Sequence, residues 1–155
     1  MNKYLSFLIV WFLFAFPVFS QTAQRLEALL NTEALSYDEA AAFVLEAANI
    51  RPANAPVFAG PAQAFSFAVE QNWLPRKAEG SDAARLDEVS LLIMKAFGFR
   101  GGAFYTLFQT PHYAYRELQY RNMLEGRTLP AMNVSGELLL FVLSRALDHA
   151  ERIEG

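Results

Sequence analysis

The sequence predicts an all-α domain built from helix–loop–helix repeats of about 49 residues. Segments that begin at 35, 84 and 133 share one apolar pattern and recur at a constant step of 49 residues. A second type of segment recurs at a step of 50 and aligns Pro61 with Pro111. The run 138–143 is apolar on every side, which is typical of a buried helix. Three such helices in register predict three pseudo-repeats around a central three-helix bundle, with the first repeat truncated.

The chain opens with a predicted secretory signal peptide over residues 1–20. Lys3 precedes an apolar run over 4–16, and Val18 and Ser20 are placed for cleavage before residue 21. An uncleaved anchor is the alternative, but the sixteen residues from 4 to 19 fall short of the roughly 20 that a spanning helix needs. We therefore expect an exported protein, periplasmic or associated with the cell envelope. A single domain over 21–155 would remain, with no stable membrane span after cleavage.

The apolar segments are predicted to be helices with local start signals. After a shortened helix over 23–30, Ser36 and Glu39 predict a capping box, because each side chain can satisfy a backbone donor of the other residue. Asn133 or Ser135 can cap the last helix in a similar way. The predicted helices of this type cover about 36–49, 85–97 and 135–150.

Proline-led helices are predicted from Pro61 to about 73 and from Pro111 to about 123, because proline suits the first turn of a helix. Each is expected to form a unit with the helix that follows it in the chain. The apolar stretch 103–108 leaves three alternatives open: a short strand, a helical turn packed under the bundle, or an exposed docking patch.

The composition narrows the classes of function. The absence of cysteine excludes disulfides, thiolate metal sites and a cysteine nucleophile. A formal net charge of −3 with mixed signs gives no reason to expect nucleic acid or an anionic membrane as a partner. The two histidines, His112 and His149, fall in different predicted helices without the spacing of metal ligands. The sequence therefore predicts no metal and no cofactor.

Short motifs recur at the starts of both types of helix. The third copy carries them in segments 108–114, 122–126 and 134–140, whereas the first copy keeps mainly 35–39. The middle copy matches through Phe58, Ala64, 72–74 and 86–88. Together these motifs resemble the S-layer homology module, a helix–loop–helix unit that usually occurs in threes. The resemblance covers nearly all of the predicted mature chain.

This resemblance implies a three-unit domain that anchors to cell-wall polymer through grooves between its units. The chain departs from the family where an arginine at the start of the second helix grips acidic polymer, since Tyr37, Leu86 and Ser135 stand there instead. Arg85 lies one position away in the middle copy. We expect the fold to carry over without that ligand specificity, because function depends on sites rather than on folds.

Aromatic and cationic side chains cluster in 112–127, which we predict to be the binding face. Tyrosine rings can stack on a ligand, and arginine forks can pair with anionic groups. The alternative is that the tyrosines pack in the core and the arginines only cover the surface. Trp73 is a further candidate, although its alignment with Met123 favours a core role. The candidate ligand-binding residues are His112, Tyr113, Tyr115, Arg116, Tyr120, Arg121, Arg127 and Trp73.

The aligned glutamates Glu39, Glu88 and Glu137 invite a catalytic interpretation. Each, however, lies in the first turn of its predicted helix, where capping and the helix dipole already favour a carboxylate. The chain also lacks a nucleophile elbow and a phosphate-binding loop. We therefore expect no enzyme.

Three hypotheses about function follow. The first is a non-catalytic exported cell-envelope binding module that contacts peptidoglycan or an attached glycan. The second is a periplasmic assembly factor that docks another envelope protein through 103–127, and the third is a wall-acting hydrolase that uses one of the glutamates. An exposed apolar patch would favour the second, and a glutamate with a raised pKa in a cleft would favour the third.

Overall fold

The computed structural model describes residues 17–154 and confirms the all-α prediction, since these residues form seven helices and no extended strand. The predicted signal peptide lies mostly outside the described residues. The first helix nevertheless runs through the predicted cleavage position before Gln21. The helices are α1 (Pro17–Leu30), α2 (Tyr37–Ala47), α3 (Pro61–Glu70), α4 (Leu86–Ala96), α5 (Ala103–Phe108), α6 (Pro111–Tyr120) and α7 (Gly136–Glu154).

Local start signals set the beginnings of these helices. Ser36 and Glu39 form the predicted capping box at α2, with both reciprocal hydrogen bonds present. Proline occupies the first turn of α3 and of α6, where its missing N–H costs no helical hydrogen bond. At α7 the Oγ of Ser135 accepts a hydrogen bond from the backbone N–H of Leu138 at 3.2 Å. Of the two caps considered for this helix, the structure selects Ser135.

A closed ring of three backbone hydrogen bonds joins the segments that enter α2, α4 and α7. The N–H of Leu35 donates to the carbonyl of Val134 at 2.8 Å, and the N–H of Val134 donates to that of Ala84 at 2.9 Å. The N–H of Ala84 closes the ring by donating to the carbonyl of Leu35 at 2.8 Å. All three residues are fully buried, so these bonds satisfy backbone groups that water cannot reach.

A second set of bonds repeats the same relation two residues further on. The N–H groups of Tyr37, Leu86 and Gly136 donate to the carbonyls of Asp82, Met132 and Thr32, respectively. The first set relates 84 to 134 and the second relates 86 to 136, a step of 50 in each case, so the third segment lies one residue later than the sequence alignment at 133. The equivalent of Glu39 and Glu88 is therefore Leu138 and not Glu137. The predicted organisation into three repeats around a central bundle otherwise stays a prediction.

The proline-led helices pack against the helices that precede them, which corrects the predicted pairing. The most extensive helix contacts join α2 to α3 and α4 to α6. Small or apolar residues four apart make this packing close: Ala64 and Ala68 on α3, Ala114 and Leu118 on α6, all fully buried. Helix α2 also contacts α4 and α7, and α1 contacts α7.

The core lies along the inner faces of α2, α4 and α7, where the largest fully buried side chains include Leu45, Leu92 and Leu139. Phe43 and Phe141 are only half-buried, and an arginine lies over each ring: Arg25 at 5.7 Å and Arg145 at 5.3 Å. These rings therefore belong to the edge of the core.

Candidate functional site

The predicted binding segment 112–127 is divided between buried and exposed positions, because α6 turns one face onto α4. Tyr115 is buried, and its hydroxyl donates to the carbonyl of Thr128 at 2.8 Å. This bond ties the loop after α6 to the helix, which is a structural role. His112 and Arg116 are exposed on the outer face of α6. Arg127 is exposed in the loop that follows.

Tyr113 belongs to an aromatic stack on the outside of the molecule. Its ring lies nearly parallel to Phe104 at 5.7 Å and to Phe108 at 5.5 Å, and the ring of His112 meets its edge at 5.4 Å. The two phenylalanines belong to α5, so the stretch 103–108 is a helical turn. Only Tyr105 of that turn is buried. The stretch 103–108 is thus a helical turn that is mostly exposed, so the helical and the exposed alternatives are each partly right.

Trp73 lies apart from the segment 112–127, at the end of α3. The indole is half-buried and meets the ring of Phe67 edge-on at 5.8 Å. This contact fits the core role that its alignment with Met123 suggested. Trp73 does not line the cleft described next.

An open cleft of about 630 Å³ lies where the end of α6 meets α7 and the loop before α5. Of the eight predicted residues, only Tyr120 and Arg121 line it. Its other lining residues were not predicted from the sequence. The complete lining is Arg100, Gly101, Gly102, Glu117, Tyr120, Arg121 and His149.

Arg121 is held at the centre of the cleft by three elements. Its Nη1 donates to Nε2 of His149 on α7, and its Nη2 donates to the carbonyl of Arg100 in the loop. Its Nε lies 3.8 Å from the carboxylate of Glu117, one helical turn earlier on α6. Two hydrogen bonds and this longer ion pair therefore fix the guanidinium, although Nε itself is buried without a hydrogen-bond partner.

An aromatic ring that does not itself line the cleft packs against two of the lining residues, Arg121 and His149. The ring of Phe99, which is buried, lies under the guanidinium of Arg121 at 5.8 Å and meets the edge of His149 at 5.1 Å. Arg121 has no acceptor atom, so Nε2 of His149 must be unprotonated to receive its hydrogen bond. Burial, with the nearby charges of Arg121 and Arg152, lowers the pKa of His149 below its ordinary value. The imidazole is therefore neutral at pH 7.

The wall of the cleft opposite α7 depends on a carboxylate and two glycines. Glu117 accepts a hydrogen bond from the N–H of Gly102 at 2.7 Å, which fixes the loop before α5 against α6. A Cβ at Gly101 would lie 2.4 Å from the ring of Tyr105, so this position requires glycine. Tyr120 completes the cleft with a phenol that is 85% exposed. An exposed ring beside a fixed guanidinium offers stacking and hydrogen bonding together.

The three glutamates make separate local interactions and do not meet in one site. Glu39 caps α2, and Glu137 is exposed in the first turn of α7. Glu88 accepts a hydrogen bond from the hydroxyl of Tyr37, and burial raises the pKa of its carboxyl group. Glu88 does not line the cleft, so the cleft lacks the glutamate with a raised pKa that would favour a hydrolase.

Within residues 17–154, no three His, Asp or Glu side chains are grouped so that they could bind a metal ion. None of the helices described is both long and apolar enough to cross a bilayer. Comparison with family models, with curated proteins and with solved structures finds no match to this chain. The resemblance to the S-layer homology module therefore stays a prediction, and the site must be interpreted from its own geometry.

Proposed function

We propose that this protein is a non-catalytic binding module of the cell envelope that contacts peptidoglycan or an attached glycan through the cleft at the end of α6. The observation that carries the proposal is the exposed ring of Tyr120 beside the fixed guanidinium of Arg121. Sugar rings offer an apolar face that stacks on an aromatic side chain. Their hydroxyl and acidic groups need donors and acceptors close by.

The polar groups of the cleft suit such a ligand. Arg100 is exposed at the cleft and supplies a cationic fork for a carboxylate or a phosphate. Because Nε2 of neutral His149 already accepts from Arg121, its Nδ1–H is a donor for hydroxyl groups, and the carboxylate of Glu117 adds an acceptor. The cleft is open, which suits a polymer that enters and leaves the site along its length.

Preorganisation also supports this proposal. The Glu117, His149 and Arg100 partners already hold Arg121, so ligand binding does not have to order that side chain. Each flexible side chain that must be immobilised costs about 0.5–1.5 kcal/mol of binding free energy. A ligand that pairs with Arg121 therefore does not bear this cost.

Co-sedimentation with isolated cell-wall sacculi tests the proposal. We expect the wild-type chain to sediment with sacculi and Tyr120→Ala or Arg100→Ala to sediment at least about tenfold less well. Arg127→Ala is the matched control, because this arginine is exposed but does not line the cleft. Sacculi stripped of attached polymers distinguish binding to peptidoglycan from binding to an attached glycan. Absence of sedimentation with either preparation would refute the proposal.

A second candidate function is supported by the surface of α5. Phe104, Leu107 and Phe108 are 66%, 74% and 52% exposed, and an apolar cluster of this kind often marks a protein-binding surface. The corresponding proposal is an assembly factor that docks an envelope protein through 103–127. Leu107→Asp should then abolish crosslinking to that protein while leaving sedimentation with sacculi unchanged.

A further inference from the structure

A second concave surface lies between α1, α2 and α7. This groove of about 410 Å³ has an apolar lining that includes Leu26, Phe43, Leu140 and Leu147. Its charged lining residues are Arg25 on α1 and Glu46 on α2. None of these residues belongs to the cleft of the proposed function. The groove and the cleft are therefore independent surfaces.

The groove side of α7 is less covered than the equivalent sides of α2 and α4. The hydrogen-bond rings identify the equivalent residues. The ring register relates Leu140 on α7 to Ser90 on α4 and to Ala41 on α2. Ser90 and Ala41 are fully buried, whereas Leu140 is only half-buried. Helix α2 has α3 packed along it and α4 has α6, but among the described elements α7 has no such helix along its length.

Helix α1 touches α7 mainly at one end. The carbonyl of Leu29, at the end of α1, lies so close to Gly136, at the start of α7, that a Cβ there would lie 1.7 Å from it. Beyond this contact, Leu26 and Leu30 on α1 are 45% and 50% exposed. On the helices packed along α2 and α4, by contrast, Ala64 and Ala68 of α3 and Ala114 and Leu118 of α6 are fully buried. Helix α1 therefore carries an exposed apolar pair beside an incompletely covered groove.

We propose that a second copy of this chain covers this surface, with the α1 of each copy lying in the α1–α2–α7 groove of the other. The apolar stripe of α1 and the groove lie on the same face of the molecule. A twofold axis can therefore place the stripe of each copy in the groove of the other. Leu26 and Leu30 lie one turn apart on α1 and are both exposed, so they form the apolar stripe that enters the groove of the other copy.

Charge and length agree with this occupant. The groove carries one charge of each sign, Arg25 on α1 and Glu46 on α2, so two copies related by a twofold axis can pair Arg25 of one with Glu46 of the other. Helix α7 has 19 residues where α2 and α4 have 11 each, so its second half extends beyond the packed bundle. Leu147, in that second half, is 41% exposed and lines the groove.

Sedimentation equilibrium over a range of concentrations tests the dimer. The chain is expressed from its full sequence and purified in the form that the host produces. We expect a dimer, and we expect Leu30→Asp and Leu147→Asp each to weaken its Kd by at least about tenfold, because each places a charge in the apolar interface. Leu107→Asp is the matched control, since this leucine is exposed on α5 and away from the groove.

A charge exchange tests the pairing itself. Arg25→Glu and Glu46→Arg should each weaken the dimer, and the double variant should recover most of the wild-type Kd. Because all these side chains are at least partly exposed, unchanged helical content and Tm verify that each variant folds. A monomeric mass up to about 1 mM, the weak limit of specific association, would overturn the proposal. A dimer that both aspartate variants leave intact would also overturn it.

Discussion

The hydroxyl of Tyr37 gives the sharpest test of how the chain holds its helices together. Tyr37 is the first residue of α2, and its side chain is buried. Its hydroxyl donates to the carboxylate of Glu88 in the first turn of α4 and accepts from the N–H of Arg85 at 3.3 Å. One oxygen thus links the starts of two helices. The perturbation is Tyr37→Phe, which removes this oxygen and keeps the ring.

The magnitude follows from what the substitution leaves unpaired. A hydrogen bond to a charged group contributes about 1.5–3 kcal/mol, and a long bond between neutral groups contributes about 0.5 kcal/mol. We therefore expect Tyr37→Phe to lower the free energy of unfolding by about 2–3 kcal/mol. For a domain of this size, that loss lowers Tm by about 6–12 °C.

The assay is thermal unfolding followed by circular dichroism at pH 7. Tyr120→Phe is the matched control, because its ring is 85% exposed and its Tm should stay within about 2 °C of wild type. Tyr115→Phe should fall between them, since it loses only neutral partners in Thr128. A Tm for Tyr37→Phe equal to that of Tyr120→Phe would refute the reasoning that this oxygen links α2 to α4.

Three further predictions concern burial, close packing and protonation. Glu88→Gln should raise Tm at pH 7 but not at pH 4. Burial raises the folded-state pKa of Glu88, so its charge destabilises the folded state above that pKa and is absent well below it. Gly136→Ala should lower the free energy of unfolding in urea by on the order of 2–3 kcal/mol, because the new Cβ meets the Leu29 carbonyl. Gly60→Ala places its new Cβ where no atom lies within 4 Å, so it should lower this free energy by less than about 1 kcal/mol. The lowered pKa of His149 implies stability that is complete above its unfolded value of 6.5 and falls as pH drops below it. His149→Gln should remove that part of the decline between pH 7.5 and 5.5, and an unchanged pH profile would contradict the lowered pKa.

Local signals in the sequence were sufficient to predict most helix starts. The Ser36–Glu39 capping box and the two prolines at 61 and 111 act through neighbours in the chain, so their effects can be predicted without the fold. The repeat alignment places the third segment one residue early, because it pairs Glu137 with Glu39 and Glu88. The deciding contact is between Gly136 and Leu29, more than a hundred residues apart, and no local pattern indicates it.

The cleft was predicted only in part for the same reason. Tyr120 and Arg121 stand out as an aromatic and a cationic residue at a helix end, and clustering along the chain identified them. His149 is 28 residues from Arg121, and Arg100 is 21 residues away, so only the packing of α7 and the loop brings them together. Tyr115 was a candidate by residue type alone, but the side of α6 on which it lies makes it a buried structural residue.

The most direct test of the central proposal, that the cleft binds an envelope glycan, is chemical-shift mapping by NMR with soluble peptidoglycan fragments. The proposal predicts saturable shifts concentrated on the amides of 100–102, Tyr120, Arg121 and His149, and their loss in Tyr120→Ala. Shifts concentrated on 103–108 would instead favour the protein-docking surface. The absence of any saturable shift, also with fragments that retain attached glycans, would contradict the proposal.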